Sequence, residues 1–354
     1  MIVVISGGPQ SHPERSPAGT DDALGDKLAF LRKPTAYAEA TAWVEARETH
    51  MSWVFLTEGY AYKLKKPVRY SYLDYASLER RRSMCEQEVL LNRRLAAWVY
   101  LGVAALVRDA AGQLALCAAG TPVGGTVVEW LVQMRRLPEE RMLDHAIRRN
   151  AVHEVDAART AGHVAAFLAH APRAARTAQE HIGRQRRAIA ENAAAIAAAR
   201  LPGGQAERVT ERLSAFLDNR NGALESRVAA GKIVEGHGDL RPEHVFLGQP
   251  AAVIDCIEFD RELRLIDPLE ELAFLWMECI RLGAGQWGEM FLQVYLRESG
   301  DRAAEELLQF YMSSRAFLRA RLALGHLDGA HDAKHWLGKA EEYLEIAGRF
   351  AAGL

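Results

Sequence analysis

The chain has 354 residues, 49% of them hydrophobic and 25% charged, with a formal net charge of -2. That is enough apolar material for more than one packed core, and it excludes disorder as the default state. Near-neutral charge gives no global drive toward nucleic acid or an acidic membrane surface. The four cysteines, Cys85, Cys117, Cys256 and Cys279, are far apart and form no CxxC pair, so a disulfide scaffold is excluded and a reducing cytoplasm is the expected home. No apolar run approaches a membrane span, and the amino terminus lacks the basic residues of a signal peptide.

In chain order, residues 6 to 26 are rich in Gly, Pro, Ser and Asp and read as part of a flexible leader over 1–30. Apolar spacing from Ala36 to Arg47 fits a helix. Ser52–Leu56 and Tyr60–Leu64 read as a strand pair across Thr57-Glu58-Gly59. Residues 77–97 form a charged, Leu-spaced helix, and 101–134 hold three more strands broken at 109–113 and 120–125. From 139 to 230 and from 268 to 350 the pattern is helical, and the Ala- and Arg-rich stretch 174–200 is an amphipathic helix because alanine is the best helix former. The chain thus divides into a mixed small lobe, 31–134, and a mainly helical lobe, 135–354, an α+β arrangement. No fixed-period repeat suggests a solenoid.

The helical lobe is interrupted at 237–260. There Val245-Phe246-Leu247 and Ala252-Val253-Ile254 flank Gly248-Gln249-Pro250, the pattern of a short hairpin. Asp239 and Asp255 stand at its two ends. Phosphoryl transfer from a nucleotide requires one carboxylate to orient the attacking hydroxyl and further oxygen ligands to hold magnesium against the phosphates. The phosphate-loop motif GxxxxGK[ST] is absent, and Gly7-Gly8 is followed by Pro9, which sets a P-loop ATPase aside.

His237-Gly238-Asp239, then His244, then Ile254-Asp255, resembles the signature of the aminoglycoside phosphotransferase family, which has the two-lobed protein-kinase-like fold. The resemblance implies that Asp239 is the catalytic aspartate and Asp255 the magnesium aspartate, with Asp267-Pro268 and Glu271-Leu272-Ala273 similar to the family's "DP...DLA" stretch. It further implies ATP and Mg2+ as cofactors and a small-molecule hydroxyl as acceptor. Ala61-Tyr62-Lys63 resembles the end of the strand whose lysine grips the nucleotide phosphates. Lys65 shares that strand face, so either lysine is open to the role. Glu88 on the following helix is the better fit as the lysine's acidic partner, and Glu86 the other candidate. Adenine would hydrogen-bond to backbone near Val132-Gln133-Met134. Thr49-His50-Met51-Ser52 is a candidate for further phosphate contacts.

Two departures stand out. The family carries asparagine where this chain has His244; imidazole suits manganese or zinc better than magnesium, so His244 either ligates a manganese-tolerant site or hydrogen-bonds Asp239. Glu271 stands where the family has a second aspartate. The runs 49–56, 62–68 and 134–138 resemble a bacterial branch of the family, some members of which carry a further P-loop domain. Two other readings remain open from the sequence: a nucleotide-binding pseudokinase, and an enzyme transferring phosphate or AMP to a protein. An aminoglycoside acceptor would need spare carboxylates, for which Glu258, Asp260, Glu262, Glu270 and Glu271 are candidates.

Overall fold

The computed structural model describes residues 21–70, 73–201, 203–327 and 332–354. The described residues fall into two compact units. One comprises 21–141 with Ala252–Asp260, the other Met142–Ala251 with Arg261–Leu354.

The first unit is built on a six-stranded antiparallel sheet. Its strands are β1 (Glu45–Glu48), β2 (Ser52–Leu56), β3 (Tyr60–Lys65), β6 (Tyr100–Arg108), β7 (Leu114–Cys117) and β8 (Thr126–Arg135), in the order β1-β2-β3-β8-β6-β7. The short strands β4 (Arg69–Tyr70) and β5 (Leu73–Asp74) pair separately. Helix α1 runs from Asp21 to Leu31 and α2 from Leu78 to Ala96. Ser77 caps α2 by accepting a hydrogen bond from the Arg80 amide at 3.2 Å. Alternation along β3 sends Tyr62 and Leu64 into an apolar cluster with Leu31, Tyr37, Phe55, Ala104, Leu106 and Leu131. Lys63 and Lys65 point to the opposite face, where α2 lies. Leu24, Leu28 and Phe30 of α1 pack on the apolar cluster. An ion-pair group adds to this: Arg81 of α2 grips Glu129 of β8 at 2.8 and 2.9 Å, and Lys27 of α1 reaches the same carboxylate at 2.9 Å.

Two sequence expectations give way here. The leader expected over 1–30 is helical from Asp21, because its leucines and phenylalanine have an apolar sheet face to cover; residues 1–20 lie outside the described residues. The helix expected over 36–47 does not form. Tyr37 packs its ring against Tyr62 at 4.8 Å and donates its hydroxyl to the Leu31 carbonyl, while Glu45–Glu48 pairs with Trp53–Leu56 as an outer strand. Strand pairing outweighs a helical spacing of modest strength.

In the second unit nine helices are described: α3 (Leu143–Arg148), α4 (Glu154–His170), α5 (Ala178–Ala198), α6 (Gln205–Asn219), α7 (Gly222–Ala229), α8 (Pro268–Arg281), α9 (Gly285–Ser299), α10 (Glu305–Leu324) and α11 (Ala333–Ala351). Helix α10 is the spine, packing against α11, α8 and α5, while α9 packs on α4 and α8. The alanine-rich α5 starts at a full capping box, Thr177 with Glu180. Asp267 caps α8 through the Leu269 amide at 2.9 Å and is itself gripped by Arg227 of α7 through both oxygens at 2.6 and 2.7 Å, with the Tyr311 hydroxyl at 3.1 Å. The aspartate of Asp267-Pro268 is therefore a structural anchor at the start of α8. The strand stretches expected around Gly248-Gln249-Pro250 form at Val245–Phe246 and Ala252–Val253. No helix among the described residues is long and apolar enough to cross a membrane.

Candidate active site

In the first unit, a buried network of charges is centred on Glu88. The inward face of α2 carries Arg81, Cys85, Glu88, Asn92 and Leu95, the spacing of one helical stripe. Lys63 Nζ lies 3.0 Å from Glu88 Oε1 and 2.8 Å from Asp255 Oδ1. Lys65 Nζ lies 2.6 Å from Glu88 Oε2 and also contacts Glu258 Oε1. Both lysines therefore reach Glu88, one on each oxygen. Glu86, the other candidate partner, is paired with Arg82 on the exposed side of the helix. Burial pulls the pKa of Lys63 down, but Asp255 and Glu88 outweigh it and hold the lysine well above its ordinary value. Burial likewise raises Glu258, and Lys65 with Lys63 reverses the effect, leaving that carboxylate below its ordinary value.

Asp255 occupies the left-handed region at φ 63°, a conformation that aspartate tolerates better than most residues. Its backbone is held on both sides: its own amide donates to the Tyr100 hydroxyl at 3.2 Å, and the next amide, Cys256, donates to Asn92 Oδ1 at 2.9 Å. Asn92 lies one helical turn after Glu88 on the same face of α2, and its side-chain amide donates to the Glu88 carbonyl at 2.9 Å. Its role was not visible in sequence; only the amide donated by Cys256 explains a polar residue there.

The second unit contributes the loop around Asp239. Asp239 is buried, and Arg241 Nε pins one of its oxygens at 2.9 Å. Arg241 is fully buried; desolvation lowers its pKa, the Asp239 carboxylate more than restores it, and the guanidinium stays charged. Gly238 takes φ 87°, and the amides of His237 and Gly238 both donate to the carboxylate of Glu271 on α8, at 2.7 and 2.6 Å. Burial pushes Glu271 up to about 7 even though these two amides pull it down. Gly236 makes room for this clamp: a Cβ there would collide with Glu271 Oε2 and sit 2.8 Å from Ile266 Cγ2.

Both open questions at His244 meet this geometry. Its Nδ1 donates to the Asp239 carbonyl at 2.8 Å, and Nε2 faces Arg241 Nη2 at 3.2 Å as an acceptor. The ring is a brace between Asp239 and Arg241. Both ring nitrogens are engaged within the loop, which favours the hydrogen-bonding alternative over the metal-ligand one. Val132 and Met134 also differ from expectation. Both lie inside β8, paired to Lys63 and Val103 and to Ala61 and Tyr100 respectively, so their backbone groups serve the sheet ladders. The amides of Arg135 and Arg136 are taken too, by the carbonyls of Val99 and Gly59. Thr49 closes the β1–β2 turn, its hydroxyl bonded to both the amide and the carbonyl of Ser52.

A lysine and a helix glutamate in ion contact, a left-handed aspartate on that lysine, and a second aspartate after His-Gly form a recognisable set. The family model for the phosphotransferase enzyme family matches residues 93–311. The chain belongs to that family. Curated relatives from Mycobacterium tuberculosis and Mycobacterium bovis, described as uncharacterized proteins, are 33% identical over 316 residues, which is 86% of this chain and 60% of theirs. The chain thus spans about three fifths of the length of those relatives. Among solved structures, a choline/ethanolamine kinase family protein from Mesorhizobium loti is 16% identical with a TM-score of 0.50, covering 93% of this chain and 98% of that one. A choline kinase from Cryptosporidium parvum is 10% identical with a TM-score of 0.52, covering 94% and 97%. These similarities give the phosphotransferase-family member a two-lobed, protein-kinase-like α+β fold.

Proposed function

We propose that this chain transfers a phosphoryl group from ATP to the hydroxyl of a small molecule. The observation that carries the reading is the position of Lys63, whose ammonium touches both the helix glutamate Glu88 and the left-handed Asp255. An uncommitted structural ion pair has no need of an aspartate in that backbone conformation. Lys63 would bind nucleotide phosphate, and Asp239, oriented by Arg241, would accept the proton of the attacking hydroxyl. Asp255 presents hard carboxylate oxygen of the kind magnesium prefers, whereas His244, with both nitrogens committed, does not fit as a ligand. Bound magnesium would neutralise charge developing on the phosphate oxygens.

The acceptor class is narrowed by where the carboxylates go. Four of the five candidate carboxylates, Asp260 left aside, carry this point: Glu258 is engaged by Lys65 and Tyr75, Glu262 by Arg176, Glu270 by Arg315 and Gln185, and Glu271 by two backbone amides. This supports an acceptor other than a polyammonium sugar. The test is thermal unfolding with ATP and either Mg2+ or Mn2+, in wild type and Asp255→Asn, followed by ATP consumption with pooled small-molecule alcohols. At a ligand concentration about 100-fold above Kd, binding adds roughly 2.7 kcal/mol to stability. A metal-dependent rise in Tm that disappears in the variant, with ATP consumed only when acceptor is present, supports the reading. Binding without turnover would replace it with a pseudokinase, and radiolabel from ATP on a macromolecule would replace it with a protein-modifying enzyme.

A further inference from the structure

The two lysines on β3 are not equivalent. Lys63 is the outer member: it contacts Asp255, whose side chain is 18% exposed. Lys65 is the inner member, with no exposed surface, enclosed by Glu88 Oε2 at 2.6 Å, Glu258 and the Tyr75 hydroxyl at 3.5 Å. Tyr75 in turn donates to Glu258 at 2.7 Å. One glutamate is therefore shared between a lysine that borders the outer side of the network and a lysine sealed inside it. Glu258 lies three residues after Asp255 and is a second carboxylate under the charge of both lysines.

We propose that Lys65 is a positioning residue whose fixed pairing with Glu88 allows Lys63 to leave Asp255 for a nucleotide phosphate. The inference rests on the phosphotransferase reading above. Its physical reason is the cost of an uncompensated buried charge. If Glu88 had Lys63 as its only cation, any movement of Lys63 toward phosphate would strand a carboxylate in the interior. With Lys65 held on the other oxygen, Glu88 stays neutralised throughout. Removing Lys65 leaves Glu88, Glu258 and Asp255 to compete for one ammonium, and Lys63 is drawn back from the phosphate. Removing the Glu258 charge as well relieves that competition.

The experiment measures dissociation constants for MgATP and for adenosine, which has no phosphate, in the full chain. In Lys65→Met, MgATP is expected to weaken by about tenfold or more, while adenosine stays within about twofold. The double variant Lys65→Met/Glu258→Gln is expected to recover most of the loss, and Glu258→Gln alone to bind MgATP as tightly as wild type or more so. Equal weakening of adenosine and MgATP would show that Lys65 only supports the fold and overturn the proposal. So would a double variant no better than Lys65→Met, which would mean that Lys65 itself contacts phosphate. If Lys65→Met does not fold, a tenfold loss of MgATP in Glu258→Gln overturns the proposal on its own. Failure of the wild type to bind MgATP is a different result: it sinks the phosphotransferase reading rather than the division of labour between the lysines.

Discussion

Replacing Glu271 by glutamine should make the protein more stable at alkaline pH while damaging the loop that carries Asp239. The carboxylate sits at about 7 in the folded protein against an ordinary 4.5, because burial disfavours its charge. A gap of roughly 2.5 units corresponds to about 3 kcal/mol at 1.36 kcal/mol per unit. Because the folded value lies above the unfolded one, this group's favourable contribution is complete below about pH 4.5 and is lost as pH rises through about 7. Glutamine resembles the protonated form, so the variant should match wild type near pH 5 and exceed it by up to about 3 kcal/mol at pH 8. Function runs the other way. Only the ionised carboxylate can accept from both the His237 and Gly238 amides, so wild-type turnover should rise through pH 7 and the variant should stay low across the range. Urea unfolding at pH 5 and pH 8 reads the stability, and ATP consumption across the same range reads the loop. A variant that is less stable than wild type at pH 8, or that keeps the same pH slope of stability, would refute the reasoning.

Other outcomes follow from the same geometry. Gly236→Ala should lower stability by about 1–3 kcal/mol through overpacking against Glu271 and Ile266, seen as a reduced urea midpoint with unchanged m-value. Asp239→Asn should reduce phosphoryl transfer by about 10²- to 10⁴-fold without weakening MgATP binding, since Asp239 serves the hydroxyl; tenfold weaker nucleotide binding would contradict that role. His244→Asn should lower activity without altering the preference between Mg2+ and Mn2+, because the imidazole braces Asp239 and Arg241; a switch in metal preference would restore the ligand reading. Arg81→Met should destabilise the protein by about 3–5 kcal/mol, since Glu129 would lose the guanidinium and keep Lys27 and the Trp130 amide, and calorimetry would show it as a lower Tm.

Much of this protein was legible as local pattern. Ser52–Leu56, the helix starting after Ser77, the strands on either side of 109–113 and the hairpin strands around Gly248-Gln249-Pro250 were readable because alternation, capping and turn residues act over a few positions. The His-Gly-Asp motif and the aspartate sixteen residues later were visible for the same reason: a reactive group needs its loop, and loops are written in contiguous sequence. The segment 36–47 was not, because its spacing suits a helix in isolation while a partner strand was available to pair with it.

The roles of individual polar residues depended on distant neighbours. Two alternating lysines on one strand face cannot be told apart until the depth of each is known, and that depth comes from Tyr75 and from Glu258, the latter far from β3 in sequence. Asn92 has no role legible in sequence, and the fold places the amide of Cys256 on it; His244 had two roles open, and the fold brings Arg241 and the Asp239 carbonyl to its ring. Hydrophobic periodicity is a property of one segment and survives in its sequence. The state and purpose of a buried charge belong to the charges that surround it, and only the folded chain brings those together.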